Sequence, residues 1–180
     1  KIQKRVYKYN SRISKMSYYI IIRGPLACGK TTVSKELAKT LKGVHISIDK
    51  ILEEHHLTGD KEEGYISQKS FIKANAIAVK EAKKLLNKNK IVIFDGNFYW
   101  KSQIEDLIQR LDYPHRVFTL KAPVEVCIAR DKSRGETHGV IAAQVVHKKV
   151  SSFDYGTIID TENQTKESVV KKIIKKLKPN

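Results

Sequence analysis

Apolar and polar positions along the chain switch between two periods. The run Tyr18–Arg23 is aromatic and β-branched and stops at Gly24-Pro25, which predicts a buried strand. From Lys30 the apolar residues fall at Val33, Leu37, Ala38 and Leu41, one face of a helix, with Gly43 as its C-terminal stop. Val44–Asp49 predicts a short strand ending on an acid, and residues 50–65, rich in Glu, His and Gly, predict irregular chain. A long helix from about Ser67 to Asn87 turns Ile72, Ala76, Val79 and Leu86 to one side. Ile91–Phe94 is a continuous apolar strand closed by Asp95-Gly96. Ser102–Leu111 is a helix with Ile104, Leu107, Ile108 and Leu111 inward, and Arg116–Leu120 is a further strand. Pro123, a favoured first-turn residue, opens a helix carrying Val124, Cys127 and Ile128. A charged, glycine-bracketed loop over 131–139 leads to a helix over Val140–Val150. Thr157–Ile159 is the last strand, and Thr165–Leu177 is a helix with Val169, Val170, Ile173, Ile174 and Leu177 on its apolar side.

Strands alternating with helices predict an α/β protein: a five-stranded parallel sheet covered by helices on both faces. No internal repeat or low-complexity segment interrupts it. The 180 residues suffice for one such domain without a disulfide or metal staple. With 41% apolar and 30% charged residues the chain is neither disordered nor collagenous nor a disulfide scaffold. No apolar run reaches the ~18 residues a membrane span needs. The N-terminus lacks the apolar core of a secretory signal, and the two cysteines, Cys28 and Cys127, form no metal pattern. The expected location is the cytoplasm.

The net charge of +16 changes the picture only through its distribution. Residues 1–17 carry +6 with no acid, residues 166–180 carry +5, and the remainder +5. We therefore divide the chain into a basic N-terminal arm, 1–17, and a domain, 18–180. Met16, just before the first strand, is a candidate translation start. The two basic clusters read first as solvated surface and second as an electrostatic footprint for nucleic acid. Apart from Tyr7 and Tyr9 no aromatic residues are interleaved for base stacking.

The chemistry is concentrated in Gly24-Pro25-Leu26-Ala27-Cys28-Gly29-Lys30-Thr31, which fits the phosphate-loop pattern G-x-x-x-x-G-K-[ST] between an apolar strand and an amphipathic helix. Gly24 and Gly29 let the backbone curl so that its N–H groups meet phosphate oxygens. The helix start adds its dipole, Lys30 reaches the β- and γ-phosphates, and Thr31 is placed to ligate Mg²⁺. Thr32, next in the helix, joins this nucleotide-binding set. Cys28 reads as a tolerated small residue rather than a redox sensor, though open to alkylation if the loop is open.

Three further features bear on the site. Asp95, after four apolar residues, has the form of a Walker B acid holding Mg²⁺; otherwise it simply starts a turn. Asp49 sits at the ligand-binding edge of the sheet, where a carboxylate can take a proton from an acceptor hydroxyl or orient it; otherwise it caps the next segment. Arg130 and Arg134, four residues apart, suit the charge of a transferring phosphoryl group on a closing loop; otherwise they offset a helix dipole. Arg23 is a weaker phosphate candidate. His55 and His56 read as surface residues, and His138 and His147 do not read as a metal site. Tyr99 and Trp100 are either pocket-lining or ordinary half-buried aromatics.

On Gly24–Thr31, Asp49, the Ile91–Asn97 run, Ala129–Arg134 and Ile158–Thr161, residues 18–178 resemble the P-loop small-molecule and nucleotide kinases. That group of AAA-type ATP-binding proteins includes adenylate, shikimate and gluconate kinases, chloramphenicol phosphotransferase and polynucleotide kinase. The resemblance implies strand order 2-3-1-4-5, MgATP as phosphoryl donor, Asp49 as the substrate-hydroxyl acid, and Arg130 and Arg134 as lid arginines. Asn97-Phe98 stands where adenylate kinases continue Asp-Gly with Phe-Pro-Arg, and no shikimate-kinase Gly-Gly-Gly run occurs. These departures leave the donor site intact and do not specify the acceptor, which is expected to be a hydroxyl or phosphate of a small molecule or nucleotide. Alternatives are the 5′-hydroxyl of a polynucleotide or RNA, and a regulatory ATP-binding protein with slow hydrolysis. No Asn-Lys-x-Asp run for reading guanine occurs, so ATP is preferred over GTP.

Overall fold

A computed structural model describes residues 17–135 and 138–177; all of the basic arm except Ser17 lies outside the described residues. In chain order the elements are β1 (Tyr19–Arg23), α1 (Lys30–Leu41), β2 (Val44–Ser47), α2 (Ile48–Glu54), β3 (Lys61–Glu62), β4 (Tyr65–Ile66) and α3 (Gln68–Asn87). They continue with β5 (Val92–Gly96), α4 (Lys101–Arg110), β6 (His115–Lys121), α5 (Val124–Ser133), α6 (Val140–Val150), β7 (Thr157–Asp160) and α7 (Lys166–Leu177). Five strands form one parallel sheet in the order β2-β5-β1-β6-β7, which is 2-3-1-4-5 when only its own strands are counted. β3 and β4 make a separate antiparallel hairpin.

β1 is central, and its period-2 alternation divides the core. Tyr19 and Ile21 face one layer with Phe71, Ala78, Phe94, Phe98, Ile104 and Leu107, contributed largely by α3 and α4. Ile20 and Ile22 face the other with Leu37, Cys127, Val169 and Ile173, from α1, α5 and α7. A strand buried on both faces must read as an unbroken apolar run, which is why Ile20–Ile22 and Val92–Phe94 carry no polar residue. The parallel register sets Ile22 beside Asp95 and Ser47 beside Asp95, so β1, β2 and β5 end level at one edge.

The structure corrects several local expectations. The segment after β2 is helical, not strand: Ser47 accepts a hydrogen bond from the Lys50 N–H as N-cap, and Asp49 lies in the first turn of α2. The irregular region 50–65 contains most of α2 and the β3–β4 hairpin. The expected loop at 131–139 begins later, since α5 runs to Ser133, and Pro123 is its N-cap rather than a first-turn residue. The first helix ends on Lys42, which takes the left-handed backbone (φ 53°) expected of Gly43. Asp95 and Gly96 belong to β5 and do not start a turn. Tyr99 and Trp100 are buried in the core and not half-buried.

Arg23 is the largest correction. It is not at the phosphate loop mouth but fully buried, with its guanidinium lying over the Phe153 ring. It donates to Thr119 Oγ1 (3.2 Å), Phe153 O (3.1 Å) and Val150 O (2.7 Å), tying β1 and β6 to the chain that follows α6. Burial lowers its pKa to about 10, against the pull of Asp154 and Cys28. Arg23→Ala leaves these acceptors buried without a donor, at roughly 1–3 kcal/mol for each unsatisfied group. A loss of several kcal/mol in urea unfolding is expected; a loss under 1 kcal/mol would show that Arg23 does not hold this junction.

Candidate active site

The phosphate loop forms where β1 hands over to α1. Gly24 has no room for a side chain: a Cβ would stand 2.6 Å from Leu120 O and 2.7 Å from Cys28 Sγ. Gly29, in left-handed backbone (φ 100°), is the N-cap of α1 and supplies no side-chain cap. The first N–H groups of α1 are therefore left to an anion, with the positive end of the helix dipole behind them. Cys28 belongs to the loop but turns its side chain beneath it, against Gly24. Its thiol is buried, and burial raises its pKa, so the expected susceptibility to alkylation is not supported.

Lys30 folds back across the loop. Its ammonium donates to Pro25 O (2.8 Å) and to Asn97 Oδ1 (3.0 Å) and is almost wholly buried. Thr31 Oγ1 donates to Asp95 Oδ2 at 2.6 Å, and His45 Nε2 lies 2.9 Å from Asp95 Oδ1. Burial pushes the Asp95 carboxyl up, but hydrogen bonds from His45 and Thr31, with the charges of His45 and Lys30, outweigh it and hold the pKa below the ordinary range. An ionised carboxylate touching a hydroxyl at the start of the helix is a donor set that fits Mg²⁺ shared with nucleotide phosphates. Among the described residues no group of three His, Cys, Asp or Glu could hold a metal alone, so phosphate oxygens would complete such a site.

Asp49 faces the same mouth from α2. Both carboxyl oxygens accept the Asn97 N–H at 3.2 Å. Burial raises its pKa to about 6, although Lys30 and the Asn97 N–H pull the other way. Asn97 thus joins Lys30 and Asp49, one through its side chain and one through its backbone.

Arg130 and Arg134 both turn from α5 toward the loop but meet it differently. Arg130 donates to Cys28 O (3.4 Å), Thr161 Oγ1 (3.2 Å) and Thr161 O (2.6 Å), bracing the loop against the turn after β7. Arg134 donates to Ala27 O (3.2 Å) and to Arg130 O (3.1 Å) from an exposed position. Two clefts flank the loop. One, of about 310 Å³, is lined by Thr32, Val33, Arg130, Thr161, Gln164 and Val169 among others. The second, of about 270 Å³, is lined by Lys30, Thr31, Ser47, Asp49, Glu53, Asn97 and His138 among others. Ala27, Gly29, Thr32 and Arg134 line both, so Arg134 stands at their junction.

The structure thus gathers Gly24–Thr32, Asp49, Asp95 and Arg134 around one mouth, with Arg130 lining the first cleft and bracing the loop. His55 and His56 are exposed, and His147 Nε2 is paired with Ala122 O. Sequence reasoning missed His45, Asn97 and Thr161. His45 carried one signal, a polar side chain in an apolar strand; the other two become visible only when the strand ends are brought together.

The parallel sheet and its strand order define the α/β fold shared by the P-loop kinases. The chain belongs to the AAA_33 family, described as an AAA domain, which matches residues 20–154. No curated protein matches it. Among solved structures it is similar to a gluconokinase from Sinorhizobium meliloti (14% identity, 91% of each chain, TM-score 0.69). It is also similar to a sugar kinase from Janibacter sp. (14% identity, 90% of this chain and 94% of that one, TM-score 0.72). A third is the tunicamycin resistance protein of Deinococcus radiodurans (20% identity, 91% and 97%, TM-score 0.67). At these identities the likeness establishes the fold. Among the described residues no helix is long and apolar enough to cross a membrane.

Asp49 carries a consequence for stability. Its folded carboxyl binds the proton more tightly than the unfolded one, with its ordinary value of 3.8. Its contribution is therefore most favourable below pH 4 and is lost as pH rises to about 6. Asp49→Asn removes this penalty and is expected to stabilise the protein at pH 7 by on the order of 2 kcal/mol, discounted for the solvent at the cleft. The gain should vanish by pH 4. Urea unfolding of both proteins between pH 4 and 7 measures it; equal stability at pH 7 would mean an unperturbed carboxyl.

Proposed function

We propose that the protein is a kinase that moves the γ-phosphoryl group of ATP to a hydroxyl or phosphate of a small molecule or nucleotide. The observation that carries this reading is the position of Asn97. It holds the phosphate-loop lysine by its side chain and the Asp49 carboxylate by its backbone, so donor and acceptor groups share one anchor. A purely regulatory nucleotide switch has no need of a carboxylate placed there.

The nucleoside would occupy the cleft beside Thr161 and Gln164, with the phosphates on the loop and on the N–H groups of α1. Thr31 and Asp95 would hold Mg²⁺, which when bound neutralises charge on the β- and γ-phosphates. Lys30 leaves Pro25 O and Asn97 Oδ1 for the phosphates, exchanging neutral acceptors for charged ones. Arg134, at the junction of the clefts, meets charge on the transferring group. Arg130 keeps the loop in shape through Cys28 O and Thr161 and lines the nucleoside cleft beside Arg134, where it too meets phosphate charge. Asp49, with a pKa near 6, is ionised at neutral pH and takes the proton of an acceptor hydroxyl as that oxygen bonds to phosphorus and ADP departs. The names of the gluconokinase and sugar kinase support a small hydroxyl-bearing acceptor. The free, buried Cys28 and Cys127 support a reducing, cytoplasmic setting.

Lys30→Ala is expected to abolish MgATP-dependent turnover with the fold intact by circular dichroism. Asp49→Asn should lower transfer of labelled phosphoryl from ATP by about 10²-fold, the lower end for a proton-transfer group, while ATP affinity measured by calorimetry stays nearly constant. Equal losses in turnover and ATP affinity would make Asp49 a metal or structural residue. Arg134→Ala should reduce kcat with little change in KM for ATP, and an unchanged kcat would return it to the surface.

A further inference from the structure

Lys149, near the end of α6, is used by nothing in the chemistry above, yet its ammonium is enclosed. It lies 3.5 Å from the centre of the Trp100 ring, 5.1 Å from that of Tyr65 and 2.8 Å from Glu63 Oε2, with the side chain only 16% exposed. Two ring faces and a carboxylate around one ammonium form a site for a desolvated cation. Here the cation belongs to the chain itself.

The cage touches the active site through Trp100. Only Phe98 and Tyr99 separate Trp100 from Asn97, and Phe98 is a buried residue in left-handed backbone (φ 49°). A non-glycine residue held so persists only where its surroundings impose it. Trp100 supplies much of that constraint: its indole N–H donates to Ile66 O (3.0 Å) and its backbone N–H to Gln103 Oε1 (3.1 Å). Lys149 covers a ring face. On its other side α6 begins at Val140, just beyond Arg134 and His138, and its end is held by Arg23 on Val150 O. Tyr65 Oη adds a bond to Val145 O (3.4 Å). A shift of α6 therefore bears on the indole, and a shift of the indole bears on Asn97.

We propose that Lys149 is a positioning residue. Packed between Trp100, Tyr65 and Glu63, it couples α6 to the Asn97 segment, and so sets Asp49, which accepts the Asn97 N–H, for phosphoryl transfer. The proposal rests on the kinase reading of Lys30 and Asp49.

Trp100 is the only tryptophan in the chain, so its emission reports on the cage directly. Wild type, Lys149→Met and Lys149→Arg are compared by tryptophan emission with and without MgATP, by calorimetry with ATP, and by release of labelled phosphate from MgATP without an acceptor. MgATP is expected to change the emission of wild type and not of Lys149→Met. Lys149→Met should lose roughly tenfold in turnover, the scale of a small misplacement of reacting groups, with ATP affinity within about twofold of wild type. Lys149→Arg, whose guanidinium stacks on indole, should restore both signals. Should Lys149→Met fail to fold, Glu63→Gln, which keeps both rings and removes the charge partner, is read in the same way for a smaller loss. Unchanged turnover in the folded variant, or a wild-type emission indifferent to MgATP that it binds, overturns the proposal. Failure of wild type to bind ATP overturns instead the phosphate-loop reading beneath it.

Discussion

An ammonium ion held by two neutral oxygens organises this protein. Among the described residues Lys30 has no carboxylate within ion-pair distance; it rests on Pro25 O and Asn97 Oδ1, two neutral oxygens that an anion could replace in the proposed kinase. A carboxylate in contact would make that exchange costly, because a buried ion pair is hard to open. The nearby acids are each occupied elsewhere, Asp95 by Thr31 and His45, and Asp49 by the Asn97 N–H. Such an arrangement requires three strand ends to meet at one level, which the register of β1, β2 and β5 provides. The parallel sheet acts here as the device that fixes these polar groups at one mouth.

The two arginine families of the site divide labour by burial. Arg23 and Arg130 direct their donors to backbone oxygens and join segments distant in sequence: β1 to the end of α6, and the phosphate loop to the turn after β7. Arginine suits this because its planar fork satisfies several carbonyls at once without losing charge. Arg134 remains exposed and keeps only loose contacts with Ala27 O and the Arg130 backbone. Braced and exposed arginines are thus distinguished by how many acceptors surround them.

The Lys149 cage gives this division a mechanical side. The segment from Asn97 to Trp100 leaves β5 in a conformation it would not choose alone, and it carries Asn97, whose side chain accepts from Lys30 and whose backbone N–H donates to Asp49. Aromatic packing against α6 and the β3–β4 hairpin is what holds it. The Asn97 segment at the cleft and α6 are consequently parts of one packed unit.

The sequence by itself determined the layered α/β architecture and the phosphate loop, while the strand order followed from the family resemblance and not from the pattern. Architecture and loop depend on local pattern: unbroken apolar runs for strands buried on both faces, helical spacing between them, and glycines where the backbone must curl. Asp95 could be located for the same reason, as the polar end of such a run. Tertiary structure alone decided what partnered each group. Arg23 lies beside the phosphate loop in sequence, yet alternation turns it into the core, where Val150 and Phe153 await it from more than 120 residues away. Cys28 sits inside the motif, but the close approach at Gly24 buries its thiol. Ser47 took the cap that local reasoning gave to Asp49, which freed that carboxylate to face Asn97. His45, Asn97, Thr161 and Lys149 gave little or no sign of their roles, because a hydrogen bond or a caged cation between distant elements leaves no periodicity in the chain; it exists only once the sheet has brought the elements together.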